Sequence, residues 1–273
     1  MTLRLTGPLL LVGAGKMGGA LLEGWFKQGL DPTTVFIQDP ALSDGTRALA
    51  SSLGVVAGAA PELPEAPAVV VIAVKPDVTE AILANIAPVA GPQTVILSIA
   101  AGRTLESLSR PLPKSAAVVR AMPNTPASVG EGITVCIANA HVSEGQKLLC
   151  DALLAAVGEV VWVDDEALID PVTAVSGSGP AYVFHLAECL EEAGIEAGLP
   201  PELAARLARA TIAGAGVLLK QSDLDATTLR TNVTSPKGAT AAALDVLMDD
   251  DALKDLLARA VAAASKRSRE LSS

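Results

Sequence analysis

The sequence predicts an α/β chain: a mostly parallel, doubly wound sheet over residues 1–165, then an all-helical region over residues 166–273. Three observations carry this. Short apolar runs recur through the first 163 residues without polar alternation, as strands covered on both faces require. Helical stretches fall between them, the order that joins parallel strands by crossovers. After Asp164-Asp165-Glu166 the strand signals stop.

Strands are expected at 9–12, 34–38, 68–74, 94–99, 116–120, 133–138 and 159–163. Helices are expected between them at 17–27, 44–52, 79–86 and 143–157. Residues 81–102 carry no charge, long enough to suggest a membrane span, but Pro88, Gly91 and Pro92 break the run. It reads as helix, turn, strand, so no membrane partner is expected. Arg4 and the apolar run at 9–12 resemble the start of a secretory signal. The run is too short for one and passes straight into a glycine turn. In the second half, Leu203, Leu207, Ala210, Gly214 and Val217 share one helical stripe. Leu253, Leu256, Leu257, Ala260, Val261 and Ala264 share another, and Pro200-Pro201 and Ser235-Pro236 punctuate the helices. Such helices suit either an independent bundle or a subunit interface.

Composition narrows the function classes. Half of the 273 residues are hydrophobic and 18% are charged, so the chain can bury a core and is not intrinsically disordered. A net charge of −10 and 2% aromatic residues argue against nucleic acid as a partner. The three cysteines, Cys136, Cys150 and Cys189, lack metal-type spacing and read as reduced, mostly buried thiols of a cytoplasmic protein. With only His141 and His185, no His-rich metal site is expected.

Gly13-Ala14-Gly15-Lys16-Met17-Gly18 matches G-x-G-x-x-G between the first strand and the first helix. There, Gly13 permits the tight turn, Gly15 clears space for a pyrophosphate, and Gly18 lets helix and strand close. The helix start supplies free N–H donors. The motif therefore points to a dinucleotide, against a simple tight turn. Asp39, before Pro40, ends the second strand about twenty residues beyond Gly18. Its carboxylate suits the ribose hydroxyls of NADH and repels the 2′-phosphate of NADPH. It could equally do no more than begin the turn with Pro40.

Ligands of open parallel sheets bind beyond the carboxyl ends of the strands. Three further clusters fall there: Val74-Lys75-Pro76, Ser98-Ile99-Ala100-Ala101-Gly102, and Arg120-Ala121-Met122-Pro123-Asn124-Thr125-Pro126. Lys75 reads as a structural or cofactor contact before it reads as catalytic. In the helical half, Ser176-Gly177-Ser178-Gly179-Pro180-Ala181-Tyr182 is one glycine-rich mark. Asn232-Val233-Thr234-Ser235-Pro236-Lys237-Gly238-Ala239-Thr240 is the other. The second gathers hydroxyls, an amide and backbone N–H groups at a helix start, which suits a carboxylate. The competing reading is a plain serine or threonine cap.

Together these motifs resemble the pyrroline-5-carboxylate reductase family over nearly the whole chain. The resemblance implies an N-terminal Rossmann-type doubly wound sheet and an all-helical C-terminal dimerisation domain. Dimers in that family often assemble into larger rings. It implies reduction of the cyclic imine 1-pyrroline-5-carboxylate to L-proline by NAD(P)H. By position, Asn232, Val233, Ser235, Gly238, Ala239 and Thr240 would line the substrate pocket, with Thr240 at the ring nitrogen. Gly13 to Gly18, Asp39, Pro40, Val74 to Pro76, Ala100, Ala101, Met122, Pro123 and Asn124 would meet the nucleotide.

The chain departs from the family pattern at several positions. Lys237 stands where many members have glycine, Asp225-Ala226 replaces a common His-Pro pair, and Thr231 a frequent aspartate. An asparagine common near Ala60-Pro61 is missing, and Asp39 falls where serine is frequent. Two other functions stay open. One is an imine reductase or hydroxy-acid dehydrogenase of the same architecture, for which Lys220 is the nearest candidate base, with nothing around it to support that. The other is a non-catalytic nucleotide sensor.

Overall fold

The computed structural model describes residues 5–272, so Arg4 lies outside the described residues. The sheet has eight strands: β1 (Leu9–Val12), β2 (Val35–Gln38), β3 (Val56–Gly58), β4 (Val69–Ile72), β5 (Val95–Ser98), β6 (Ala117–Met122), β7 (Gly132–Ala138) and β8 (Gly158–Trp162). Their spatial order is β3-β2-β1-β4-β5-β6-β7-β8. Every pairing is parallel except β6 with β7. The chain winds outward from β1 to β3, then crosses back to β4. The switch point therefore lies between β1 and β4, where such sheets open a crevice for ligands.

Burial explains the unbroken apolar strands. Leu9 and Leu11 face one layer with Val69, Val71 and Leu97, against Leu21, Leu22, Trp25 and Leu153. Leu10 and Val12 face the other with Val70, Ile72 and Ile96, against Leu83, Ile86 and Leu108. Each such side chain, fully buried, contributes about 1.5–3 kcal/mol. Helices α1 (Lys16–Lys27), α2 (Asp44–Leu53), α3 (Thr79–Ile86), α4 (Leu105–Ser109) and α5 (Glu144–Leu154) form these layers. The fully buried Trp25 indole donates to the Leu153 carbonyl at 2.8 Å and ties α1 to α5.

All seven expected strands are present, and β3 is additional. It is a three-residue edge strand of Val-Ala-Gly with two exposed residues, too short to leave a periodic signal. β6 runs on to Met122, beyond its expected end. The helix expected over 143–157 ends at Leu154 and tightens into a 3-10 turn, Ala155–Val157, before Gly158 at φ 149°. No strand follows β8 among the described residues.

Beyond the sheet lie α6 (Ile169–Val172), a π-helical turn Thr173–Gly177, α7 (Gly179–Glu196), α8 (Pro201–Gln221), α9 (Ala226–Asn232), α10 (Ala239–Met248) and α11 (Ala252–Ser272). The chain divides into two compact units. One holds the residues up to Gly177 together with those from Ser265 onward; the other is Ser178–Ala264. The helical stretch 166–177 thus packs with the sheet, although the residue pattern changes at 165/166.

In the second unit, α7 and α8 form a hairpin. A Cβ on Gly194 would stand 3.3 Å from the Cβ of Ala204, so small residues let the helices close. The residues that α8 buries are Ala204 and Ala208, while Leu203, Leu207 and Val217 of the expected stripe are exposed. Leu253, Leu256 and Leu257 of α11 are exposed as well. Within one chain, those apolar faces are uncovered.

Candidate active site

The glycine loop closes β1 onto α1. Gly13 has φ 88°, and a Cβ there would stand 2.7 Å from the Ala73 carbonyl oxygen of the neighbouring strand's end. A Cβ on Gly18 would collide with the Gly13 carbonyl oxygen. Gly15 differs, because nothing lies within 4 Å of where its Cβ would be. Gly15 also caps α1 without a side-chain hydrogen bond, and no acidic residue occupies the first turn. The helix therefore presents unpaired N–H donors to open space at the switch point, as a bound pyrophosphate requires. The glycines fit a dinucleotide for three different physical reasons. Ala14 is buried within this loop, Lys16 is exposed, and half-buried Met17 packs against the core.

Asp39 has two partners. Its Oδ2 accepts the Ala14 N–H at 2.8 Å, and its Oδ1 accepts the Ala41 N–H at 2.7 Å. The second bond is the turn through exposed Pro40; the first pins the glycine loop to the end of β2. Thr46 completes the pinning by donating to the Ala14 carbonyl at 3.4 Å, a contact with no sequence signal.

The loops after β4 and β5 are tied together by Arg103, and the loop after β6 is tied to β7. Arg103 donates through Nε to the Pro76 carbonyl at 2.8 Å, and its Nη2 donates to the same oxygen. Lys75 is exposed, while its carbonyl accepts the Thr79 hydroxyl at 3.1 Å, so its backbone shapes the turn. Val74 is half-buried against the core. Ser98 is fully buried and accepts the Ala100 N–H at 3.3 Å; Ala100 is buried and Ala101 exposed. After β6, Pro123 is buried, and Asn124 accepts the Ile133 N–H at 2.9 Å, anchoring its loop to β7. Met122 lies against the π-helical turn: a Cβ on Gly177 would stand 2.7 Å from its Cε.

The second unit holds the remaining expected residues. Asn232 ends α9, and exposed Val233 and Ser235 lie in the turn before α10. Gly238 caps α10 with no side-chain hydrogen bond, so the plain serine or threonine cap is not what forms. The Thr234 hydroxyl instead donates to the Arg230 carbonyl, at 2.6 Å. A Cβ on Gly238 would stand 2.5 Å from Ser235 Oγ, so only glycine keeps that hydroxyl against the cap. Ala239 and Thr240 then open the helix with their N–H groups free of a cap. Lys237 has φ 58°, the left-handed region that glycine adopts without strain. Asp225 caps α9 through the Thr228 N–H at 2.9 Å, and that bond holds its carboxyl below the usual range.

Cys136 and Cys150 are buried and Cys189 is exposed. Burial pushes the Cys150 thiol up to about 12 and the Cys136 thiol higher still. No cluster that could hold a metal exists among the described residues, and no described helix is long and apolar enough to cross a membrane. A cleft of about 950 Å3 opens at the opposite, amino edge of the sheet, beside Gly7, Ala68 and Thr94. Two of its polar side chains are already engaged, Thr94 with the Pro67 carbonyl and Gln146 with the Gln93 carbonyl.

Comparison with known proteins adds the following. Residues 166–271 match the family model for pyrroline-5-carboxylate reductase dimerisation. Residues 9–102 match that for NADP oxidoreductase, coenzyme F420-dependent. A pyrroline-5-carboxylate reductase of Pseudomonas aeruginosa is 40% identical over 264 residues, 96% of each chain. That of Haemophilus influenzae is 35% identical, over 96% of this chain and 97% of its own. Among solved structures, the Coxiella burnetii reductase superposes with a TM-score of 0.91 at 33% identity, covering 98% of this chain and 100% of that one. The Plasmodium falciparum enzyme, solved with NADP bound, gives 0.80 at 30% identity over 98% and 99%.

Proposed function

The chain belongs to the pyrroline-5-carboxylate reductase family, and we infer from this that it reduces 1-pyrroline-5-carboxylate to L-proline with NAD(P)H, the last step of proline synthesis. The observation that carries this reading is the similarity to such reductases from end to end, across both the glycine-loop unit and the helical region.

The glycine loop, Asp39, Pro40, Val74 to Pro76, Ala100, Ala101 and Met122 to Asn124 are assigned to the dinucleotide. When bound, its reduced nicotinamide supplies the hydride. The uncapped start of α10, with Ser235, Gly238 and Ala239, is assigned to the substrate carboxylate, and Asn232 and Val233 to the pocket around it. Thr240 orients the ring nitrogen. An aliphatic hydroxyl is too weak an acid to protonate it, so the nitrogen's proton comes from solvent. Orientation alone lowers well-aligned barriers by about 7–11 kcal/mol, which suits a site without histidine. Because Asp39 opposes a 2′-phosphate, NADH is the favoured donor.

The helical region, residues 166–273, carries self-association as a dimer, and dimers are expected to join into a ring. The uncovered leucines of α8 and α11 support this. Three unpaired thiols suit the cytoplasm.

The test is the initial rate of NADH and, separately, NADPH oxidation by purified protein with 1-pyrroline-5-carboxylate. Saturable oxidation coupled to proline formation is expected, faster with NADH at equal concentration. A folded protein that binds NADH but oxidises neither cofactor would overturn the assignment.

A further inference from the structure

Glu166 lies outside every motif considered so far, yet one of its oxygens joins two separate segments. Its Oε1 accepts Arg120 Nη1 at 2.7 Å and the Leu105 N–H at 2.7 Å. Arg120 stands on β6, two residues before Met122, and its side chain is 6% exposed. Leu105 opens α4, directly after the loop of Ala100, Ala101 and Gly102 and the Thr104 cap. Arg103, two residues earlier, holds the Pro76 carbonyl. Glu166 thus joins the end of β6 to the segment that follows the β5 loop, and Arg103 carries the link on to the loop after β4.

We propose that Glu166 is a positioning residue for the dinucleotide: its carboxylate fixes the loops after β5 and β6 in the arrangement the cofactor meets. This rests on the reading that those loops hold the dinucleotide. Without Glu166, Arg120 is left as a buried cation, which is strongly disfavoured, so its side chain must reach for water and draw the end of β6 with it. Little slack exists on the far side, where Met122 already fills the space beside Gly177. Leu105 loses the acceptor for its N–H at the same time. A five-residue helix has almost no internal hydrogen bonding to hold its own start, so the β5 loop loosens too. Removing one partner of a buried pair also destabilises the fold, so a lower Tm accompanies the loss of loop position in the alanine variant, and the milder variants separate the two effects.

The test uses five variants and the full-length protein. Dinucleotide affinity is read without substrate, from NADH and NADPH fluorescence, and kcat and KM are read separately. Glu166→Ala should weaken dinucleotide binding about tenfold and lower kcat by up to about 100-fold, the scale of a 1 Å misplacement. Glu166→Gln keeps an oxygen that accepts both N–H groups but not the charge that faces Arg120, and should recover part of the binding. Glu166→Asp keeps the charge one methylene short. It should bind several-fold more weakly with little change in Tm, which covers the case of an unstable alanine variant. Leu153→Ala lowers Tm from the core beside α5, and its dinucleotide affinity should stay at the wild-type value. Ala101→Glu places a negative charge in the β5 loop and tests the underlying reading. If it weakens binding while Glu166→Ala and Glu166→Asp bind as wild type, the positioning role is wrong and the loop assignment stands. If Ala101→Glu binds as wild type, the loop assignment fails and the role of Glu166 falls with it.

Discussion

Replacing Asp39 by serine separates the role that the structure shows for its carboxylate from the one proposed for it. The first role is mechanical: Oδ2 holds the Ala14 N–H at 2.8 Å, inside the glycine loop. Losing that bond affects any dinucleotide equally, so it lowers kcat/KM for NADH and NADPH by a common factor. The second, proposed role is electrostatic and acts on one cofactor only. A 2′-phosphate carries a charge of about −1.5 to −2 near neutral pH. At about 6 Å and an effective dielectric of about 60, its repulsion by one carboxylate is about 1–3 kcal/mol. A ribose hydroxyl loses a charge-assisted hydrogen bond worth about 1.5–3 kcal/mol, of which a serine hydroxyl restores part, leaving a loss of about 1 kcal/mol. The two differences add, because they act on different cofactors. The ratio of kcat/KM for NADPH to that for NADH should therefore rise by about 2–4 kcal/mol, roughly 30- to 1000-fold. Initial rates with both cofactors at several concentrations, on the wild type and Asp39→Ser, measure it directly. If both efficiencies fall together and the ratio stays within about threefold, Asp39 anchors the loop and does not select the cofactor.

Three further outcomes are expected. Gly13→Ala forces an L-residue to φ 88° with its Cβ 2.7 Å from the Ala73 oxygen. Strain and overlap together should destabilise the fold by about 2–5 kcal/mol, seen as a lower urea midpoint at unchanged m. Thr240→Ala should leave Tm unchanged and lower kcat/KM by about 10- to 1000-fold, or roughly 1.4–4 kcal/mol; unchanged turnover would remove Thr240 from the mechanism. Cys150, with its thiol pushed up to about 12 by burial, holds about one part in 10,000 as thiolate at pH 8. Cys136 holds less. Neither should react with a thiol reagent until denaturant exposes it, and rapid native-state labelling of either would contradict the burial described.

What the sequence made legible follows from what a local pattern can report. The unbroken Leu9–Val12 and Val69–Ile72 runs announce strands buried on both faces, because no polar residue interrupts either periodicity. G-x-G-x-x-G is readable because its three glycines stand at fixed spacing within six residues between a strand signal and a helix signal, although what crowds Gly13 is the distant Ala73. β3 was not, since its three residues owe their strand conformation to pairing with Phe36, Ile37 and Gln38 rather than to their own side chains. The stripe through Leu203, Leu207 and Val217 is a correct reading of an apolar face. Within one chain, however, α8 buries the neighbouring Ala204 and Ala208 instead. Periodicity states that a face is apolar; it does not state which surface will cover it.

The polar part of the site was the least legible, and for a definite reason. Arg103, Thr46 and Glu166 carry no motif, and their partners lie 27, 32 and 46 residues away. Nothing in the spacing of Arg120 and Glu166 marks them as a pair until β6 is laid in the sheet and the chain returns past it. Each of those contacts ends on a backbone group or a buried charge at the carboxyl edge, where the strands stop and their loops have no ladder to hold them. Backbone N–H and C=O groups freed at such an edge need partners if they are not to cost stability. A loop that must also leave donors open for a ligand cannot pair all of its own. Long-range side chains then fix the loop's shape while its ligand-facing N–H groups stay free, as Asp39 and Thr46 do for Ala14 while the start of α1 is left uncapped.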